Sequence, residues 1–157
     1  MFGNRRQGEL VPLGHELLVG VLEEAGYRYS VDSDGDVHGV WRGGHGFYFL
    51  RLGRDGEIFT VRGHWARTLP IAVVAEAHAL CSEWNRDRIF PKTYASVDDD
   101  GRVHLFTEVS TDFEPGVTPD QVSQVLECGV ATGTQFFEAA EQRFPETVVP
   151  NLPDVPG

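Results

Sequence analysis

The sequence has no long apolar segment and only two cysteines. No apolar run approaches the roughly 18 residues that a membrane-spanning helix needs, so we expect no membrane partner. Cys81 and Cys128 do not form a Cys-x-x-Cys pair, and cysteine chemistry therefore does not support a zinc or redox site. Both lie in segments with amphipathic helical periodicity, where a free cysteine acts as a small apolar residue.

Motifs of catalysis and cofactor binding are also lacking. The chain contains no Gly-x-Ser-x-Gly elbow, no Gly-x-Gly-x-x-Gly turn and no P-loop. The glycine-rich segment at 43–46 precedes a predicted strand, so it lacks the helix dipole that would hold a phosphate. We therefore expect neither an enzyme nor a bound cofactor.

Basic residues are scarce in the second part of the chain. Residues 93–157 contain two basic and twelve acidic residues, and the whole chain has a net charge of −11. Such a surface does not attract a phosphate backbone, which argues against nucleic acid as a partner. It suits a basic patch on a protein partner, but acidity that serves only solubility explains it equally well.

The length of 157 residues fits one domain with one core. We expect a flexible N-terminus over residues 1–11, a single domain over 12–146 and a proline-rich tail over 147–157. The N-terminus shows no uninterrupted apolar region followed by a small-residue cleavage site, so we expect a cytoplasmic protein.

Hydrophobic periodicity predicts three helices, at 12–25, 70–88 and 118–144. The third begins at Thr118, with proline and glutamine at the positions typical of a capping box. Alternating segments separated by glycine-containing turns predict six strands, at 27–31, 37–41, 46–52, 57–65, 93–97 and 102–110. The order α-β-β-β-β-α-β-β-α predicts an α+β sandwich, in which helices pack on an antiparallel sheet.

The third predicted strand is apolar on both faces. Phe47 and Phe49 point to one side, whereas Tyr48, Leu50 and Leu52 point to the other. One layer of helices cannot cover both sides. Either the second side contacts another molecule, or the helices divide between the two sides, and the residues favour neither alternative.

Two acidic turns and a set of histidines are the candidates for a metal site. The turns at 32–36 and 98–101 lack the pattern of an EF-hand calcium loop, so we interpret them as hairpin turns. His38, His64 and His104 lie on different strands and are close together only if the sheet aligns them. Scattered histidines are the more common case, and we expect no metal.

A series of short motifs begins at the end of the second predicted helix. Trp84-Asn85 is followed by the strand start at 90–94, the acidic hairpin at 97–103 and the helix start Gly116-Val117-Thr118. In this order the motifs resemble those of the YbjN-type family of bacterial sensory transduction regulators. The match is best over 81–126, and the element order extends it over about 12–145.

The resemblance implies a fold like that of the type III secretion chaperones, which are often dimers that bind proteins. It also implies a cytoplasmic protein without catalytic activity, and it assigns no catalytic residue to this chain.

Two functional hypotheses result. The first is a non-enzymatic adaptor or chaperone-like regulator that forms a homodimer and binds a protein partner. The alternative is a small-molecule sensor with a pocket between helix and sheet, lined by Trp41, Tyr48 and Trp65. The candidate residues for a partner surface or pocket are Trp41, Tyr48, Leu50, Trp65 and Trp84, although Trp84 also fits a core position at a helix end.

Overall fold

The computed structural model describes residues 9–145, which form three α-helices and one antiparallel sheet. The helices are α1 (His15–Glu24), α2 (Val74–Asp87) and α3 (Pro119–Arg143), and a short 3-10 helix (Ile71–Val73) precedes α2. The strands are β1 (Ser30–Val31), β2 (Val37–Trp41), β3 (His45–Leu52), β4 (Ile58–His64), β5 (Leu69–Pro70), β6 (Lys92–Val97) and β7 (Arg102–Asp112). None of the helices in this part of the chain is long and apolar enough to cross a membrane.

The strands form one sheet in the spatial order β1-β2-β3-β4-β7-β6. The short strand β5 continues the line of β4, because Leu69 and Val97 pair with Val103 from opposite sides of β7. The long strand β7 is therefore central: it pairs with β4 and β5 on one side and with β6 on the other.

All three helices lie on the same face of the sheet. The ring of Phe47 on β3 lies 6.0 Å from that of Phe137 on α3, and Trp84 on α2 meets Phe136 on α3 edge to face at 5.3 Å. Leu18 of α1 belongs to the same core cluster. The helices therefore do not divide between the two faces, and within residues 9–145 the second face carries no helix.

The start of α3 and its contact with the sheet follow from a few residues. Thr118 and Gln121 form the predicted capping box, in which each side chain accepts a hydrogen bond from the other's backbone N–H. Gly129 and Gly133 let the helix lie directly on the sheet, since a Cβ at Gly129 would stand 2.5 Å from the Cβ of Val61. The two glycines thus form a groove on α3 in which the sheet packs closely.

Trp84 and Asn85 connect α2 to strand β6. Trp84 is buried in the core, with the guanidinium of Arg88 over its ring. The side chain of Asn85 accepts a hydrogen bond from the backbone N–H of Thr93 (2.9 Å) and donates one to its carbonyl (3.0 Å). Asn85 thus pairs with the edge strand β6 as a neighbouring strand would, and satisfies backbone groups that sheet edges leave open.

The α+β class and the predicted order of helices and strands are confirmed, with one strand missed. Pro70 was expected to start the second helix, but it ends β5, and the α-helix begins at Val74 after the 3-10 helix. The first strand is shorter than predicted, because only Ser30 and Val31 pair with β2. Residues 1–8 and the predicted tail at 147–157 lie outside the described residues. Val11, at the end of the predicted N-terminal segment, exchanges two backbone hydrogen bonds with Val117.

Candidate functional site on the open face of the sheet

We call the sheet face opposite the helices the open face. Its side chains come from alternate residues of five adjacent strands: His38 and Val40 (β2), Tyr48 and Leu50 (β3), Arg62 and His64 (β4), His104, Phe106 and Glu108 (β7), and Lys92 and Tyr94 (β6). The predicted two-sided character of β3 is thus confirmed, since Phe47 and Phe49 point into the core. Within residues 9–145 no helix or loop segment of the fold forms a layer over the open face.

Stacked rings cover the part of this face above β4, β7 and β6. Phe106 lies between His64, whose ring centroid is 4.6 Å away at 16°, and Tyr94, at 5.2 Å and 17°. Register explains the stack, because Phe106 pairs directly with His64 on one side and with Tyr94 on the other. Such cross-strand ring pairs stabilise the sheet and form a flat, partly exposed platform.

A chain of hydrogen bonds extends this platform to the acidic hairpin between β6 and β7. His64 Nε2 lies 2.9 Å from His104 Nδ1, and His104 Nε2 lies 2.7 Å from a carboxylate oxygen of Asp98. Which of the two imidazoles donates in the contact between them depends on their tautomers. The hydrogen bond from His104 lowers the pKa of Asp98, and burial together with the neighbouring His104 lowers the pKa of His64 to about 4. His64 is therefore neutral at physiological pH.

Charged residues form a row beside the rings. Arg62 on β4 pairs with Glu108 on β7 at 3.3 Å, and Lys92 on β6 is the register partner of Glu108 on its other side. The ammonium of Lys92 also lies 5.4 Å from the ring centre of Tyr94. Arg62 keeps its buried Nε without a hydrogen-bond partner. The charges of this row therefore alternate in sign.

The other end of the open face is apolar and uncovered. Val40 is 73% exposed and pairs in register with Gly46. A Cβ placed on Gly46 would have its nearest neighbour, a ring carbon of Tyr48, at 3.9 Å. The rings of Tyr48 and His38 lie 5.3 Å apart. Glycine at position 46 therefore places no side chain on the open face between Val40 and His64.

The predicted site residues separate into two groups. Tyr48 and Leu50 lie on the open face, although Leu50 is only 7% exposed. Trp65 is fully buried on the helix side, so its assignment to a partner surface is corrected by the structure. Trp84 is likewise buried in the core, which is the second of the two positions that the sequence allows for it. Trp41 is half-buried on the helix side, where its ring meets Phe47 and Phe49.

The predicted pocket lined by Trp41, Tyr48 and Trp65 is therefore not formed. Tyr48 lies on the opposite face of the sheet from the two tryptophans, because alternate residues of a strand point to opposite sides. Two of the three histidines considered as metal ligands, His64 and His104, are in contact. His38 lies on β2 beside Tyr48, and within residues 9–145 no group of three potential ligands is close enough to hold a metal ion.

Sequence reasoning missed His64, Phe106 and Tyr94 as parts of one surface. The signal that could have found them is strand alternation, which places each on the face away from the buried residues Val61, Leu105 and Thr93. Tyr94 and Phe106 face each other across one hairpin, whereas the stacking of His64 on Phe106 depends on the pairing of β4 with β7, which alternation alone does not give.

Comparisons with known proteins agree with this architecture. A family model for YbjN, described as "Putative bacterial sensory transduction regulator", matches residues 15–142. The crystal structure of YbjN from E. coli is similar with a TM-score of 0.74 and 17% identity, covering 86% of this chain and 96% of that one. An uncharacterized protein from Methanothermobacter thermautotrophicus gives a TM-score of 0.58 at 10% identity, with coverages of 84% and 99%.

A third similar structure is the Yersinia pestis type III secretion chaperone SycH in complex with a stable fragment of YscM2. Its TM-score is 0.46 at 12% identity, covering 78% of this chain and 98% of that one. No curated protein matches the sequence.

Proposed function

Since the chain belongs to the YbjN family of bacterial sensory transduction regulators, we propose that it is a non-enzymatic, cytoplasmic adaptor that forms a homodimer and binds a protein partner through the open face. The observation that carries the proposal is the absence of any covering element over that face within residues 9–145, while its residues include stacked rings and exposed apolar side chains.

The composition of the open face supports a protein partner. Tyrosine, arginine and other large side chains with both apolar and polar parts are enriched at interfaces between proteins. Tyr48, Tyr94 and Arg62 supply such side chains. Val40 is 73% exposed beside Gly46, which has no side chain, so an apolar side chain of a partner can pack on Val40.

The distribution of charge supports the same surface. The three helices contain ten acidic and two basic residues, whereas the seven strands contain four basic and two acidic residues. The helical layer is therefore acidic. Two copies that met through their helices would bring like charges together, so a homodimer is favoured only if it keeps the helical layers apart.

The test is site-specific photo-crosslinking in the native host. A photoreactive phenylalanine analogue replaces Val40 on the open face or, as the matched control, exposed His78 on α2. We expect a discrete covalent adduct with one protein from position 40 and none from position 78. Adducts from position 78 but not from position 40 would overturn the proposed surface.

The homodimer is tested by sedimentation at micromolar concentration. We expect a species of twice the 17.4 kDa chain mass. A sample that stays at the mass of one chain contradicts the dimer without affecting the open-face crosslink, because each measurement reports a different part of the proposal.

A further inference from the structure

The side chains of the open face lie in rows that run across the strands. Paired residues of neighbouring strands stand at the same height along the sheet, so the strand register defines each row. The charged row consists, from β3 to β6, of Tyr48, Arg62, Glu108 and Lys92. The ring row beside it consists, in the same order of strands, of Gly46, His64, Phe106 and Tyr94. In both rows β4 and β7 supply the two central positions.

Two copies of the chain could meet face to face about a two-fold axis that runs along the strands, between β4 and β7. Rotation about this axis keeps the height of every residue, and it places β4 opposite β7 and β3 opposite β6 of the other copy. Sheets that pack in this way lie about 10 Å apart with their strands within about 30° of each other. The two acidic helical layers would then be separated by both sheets.

The charged row is complementary to itself in this arrangement. Arg62 would lie opposite Glu108 of the second copy, and Glu108 opposite Arg62 of the second copy. Because Arg62 and Glu108 are already 3.3 Å apart within one chain, the contact would join four charges of alternating sign. Lys92 would lie opposite the ring of Tyr48, which favours a cation–π contact. An axis along the row itself would instead place each charge opposite the same charge, and such contacts repel.

The ring row fits the same axis. Tyr94 on the edge strand would lie opposite Gly46 of the second copy, which is the one position of this row without a side chain. A large side chain opposite a small one lets two facing sheets interdigitate. At the centre of the row, His64 would lie opposite Phe106, and ring pairs of this kind stabilise an interface.

From the match of both rows we propose that the open face binds the open face of a second copy about this axis. The inference rests on the proposed function, because it identifies the contact through which the homodimer forms. Each chain has one open face, so a chain in this dimer has none left for another protein. A different protein partner therefore binds only after the two copies separate.

Charge reversal tests the central contact. The unchanged protein should sediment at twice the chain mass of 17.4 kDa at micromolar concentration. Arg62→Glu and Glu108→Arg each place like charges opposite each other, so each variant alone should sediment as one chain, with dimerisation weakened by at least about tenfold. An equimolar mixture of the two variants should return to twice the chain mass, because every carboxylate then meets a guanidinium of the other variant.

Two further variants complete the test. Arg143→Glu is the matched control, because Arg143 pairs with Glu83 at 3.2 Å on the helical layer, and the mass should stay at twice that of the chain. Gly46→Lys fills the position opposite Tyr94 and should sediment as one chain. A Cβ at Gly46 has no atom closer than 3.9 Å, so the single chain has room for it. Urea unfolding verifies that each variant is folded, and Gly46→Lys decides if a reversed variant is not.

The inference is overturned if the unchanged protein sediments as one chain, if folded Arg62→Glu, Glu108→Arg or Gly46→Lys stays a dimer, or if the mixture of the reversed variants stays at one chain mass. A dimer that only Arg143→Glu separates forms through the helical layer instead. Binding of a different protein is tested by crosslinking from position 40 in the native host. An adduct with such a protein supports the proposed function even when the charge reversals refute the dimer contact, so the two proposals fail separately.

Discussion

Replacement of Gly129 by alanine tests how α3 is seated on the sheet. An ideal Cβ at this position would lie 2.5 Å from the Cβ and 2.6 Å from a methyl carbon of Val61. Carbon atoms without a bond between them prefer about 3.5–4.0 Å, so the helix and strand β4 must separate by about 1 Å. Val61 is β-branched and fully buried, and it has no flexible end that could move aside.

The magnitude follows from two opposing effects. Overpacking in a well-packed core costs about 1–3 kcal/mol, and the rigid neighbour places this site near the upper value. Alanine in place of glycine inside a helix stabilises the folded state by about 1 kcal/mol through its higher helix propensity. We therefore expect Gly129→Ala to lower the free energy of unfolding by about 2 kcal/mol.

The matched control is the same substitution at Gly20 in α1, which is exposed and would hold a Cβ with no atom within 4 Å. Only the helix-propensity effect acts there, and we expect Gly20→Ala to raise the free energy of unfolding by about 1 kcal/mol. Urea unfolding followed by tryptophan fluorescence measures both variants. If Gly129→Ala is as stable as Gly20→Ala, α3 does not lie on Val61 as described.

Two further predictions concern the polar contacts of the sheet. Because the pKa of His64 is lowered to about 4, the unfolded chain binds this proton more tightly, so stability is lost as the pH falls from about 6.5 towards 4. The full difference corresponds to about 3 kcal/mol, which partial exposure of the ring reduces to about 1–2 kcal/mol. His64→Gln should lose less stability than the unchanged protein between pH 7 and pH 4.5 in urea unfolding, and equal losses would refute the burial of His64. Asn85→Ala leaves the backbone groups of buried Thr93 without their partner and should cost about 2 kcal/mol. Arg86→Ala removes only an exposed ion pair with Asp87 and should leave the stability nearly unchanged. Thermal unfolding of the two variants side by side checks this, and similar melting temperatures would show that Asn85 does not hold strand β6.

Much of the fold could be predicted because its signals are local. The capping box at Thr118 and the repeat of apolar residues fix α3, and turn residues separate the strands. Strand β5 was not predicted because Pro70 suits both the first turn of a helix and an edge position in a sheet. Only its pairing with Arg102, 32 residues later, decides between them.

The site was predictable only in part, for the same reason. Alternation along β3 places Tyr48 and Leu50 opposite Phe47 and Phe49, and this needs no knowledge of other strands. The contact between His64 and His104 depends on the register of β4 against β7, and no local sequence pattern predicts this register.

The measurement that tests the central claim most directly is the affinity of the crosslinked partner for two charge variants. Val40→Lys places a charge at the exposed apolar end of the open face, and His78→Lys places the same charge on α2. Calorimetry with the purified partner should show affinity lowered about tenfold or more by Val40→Lys and unchanged by His78→Lys. Full affinity for Val40→Lys, with loss for His78→Lys, would contradict binding through the open face.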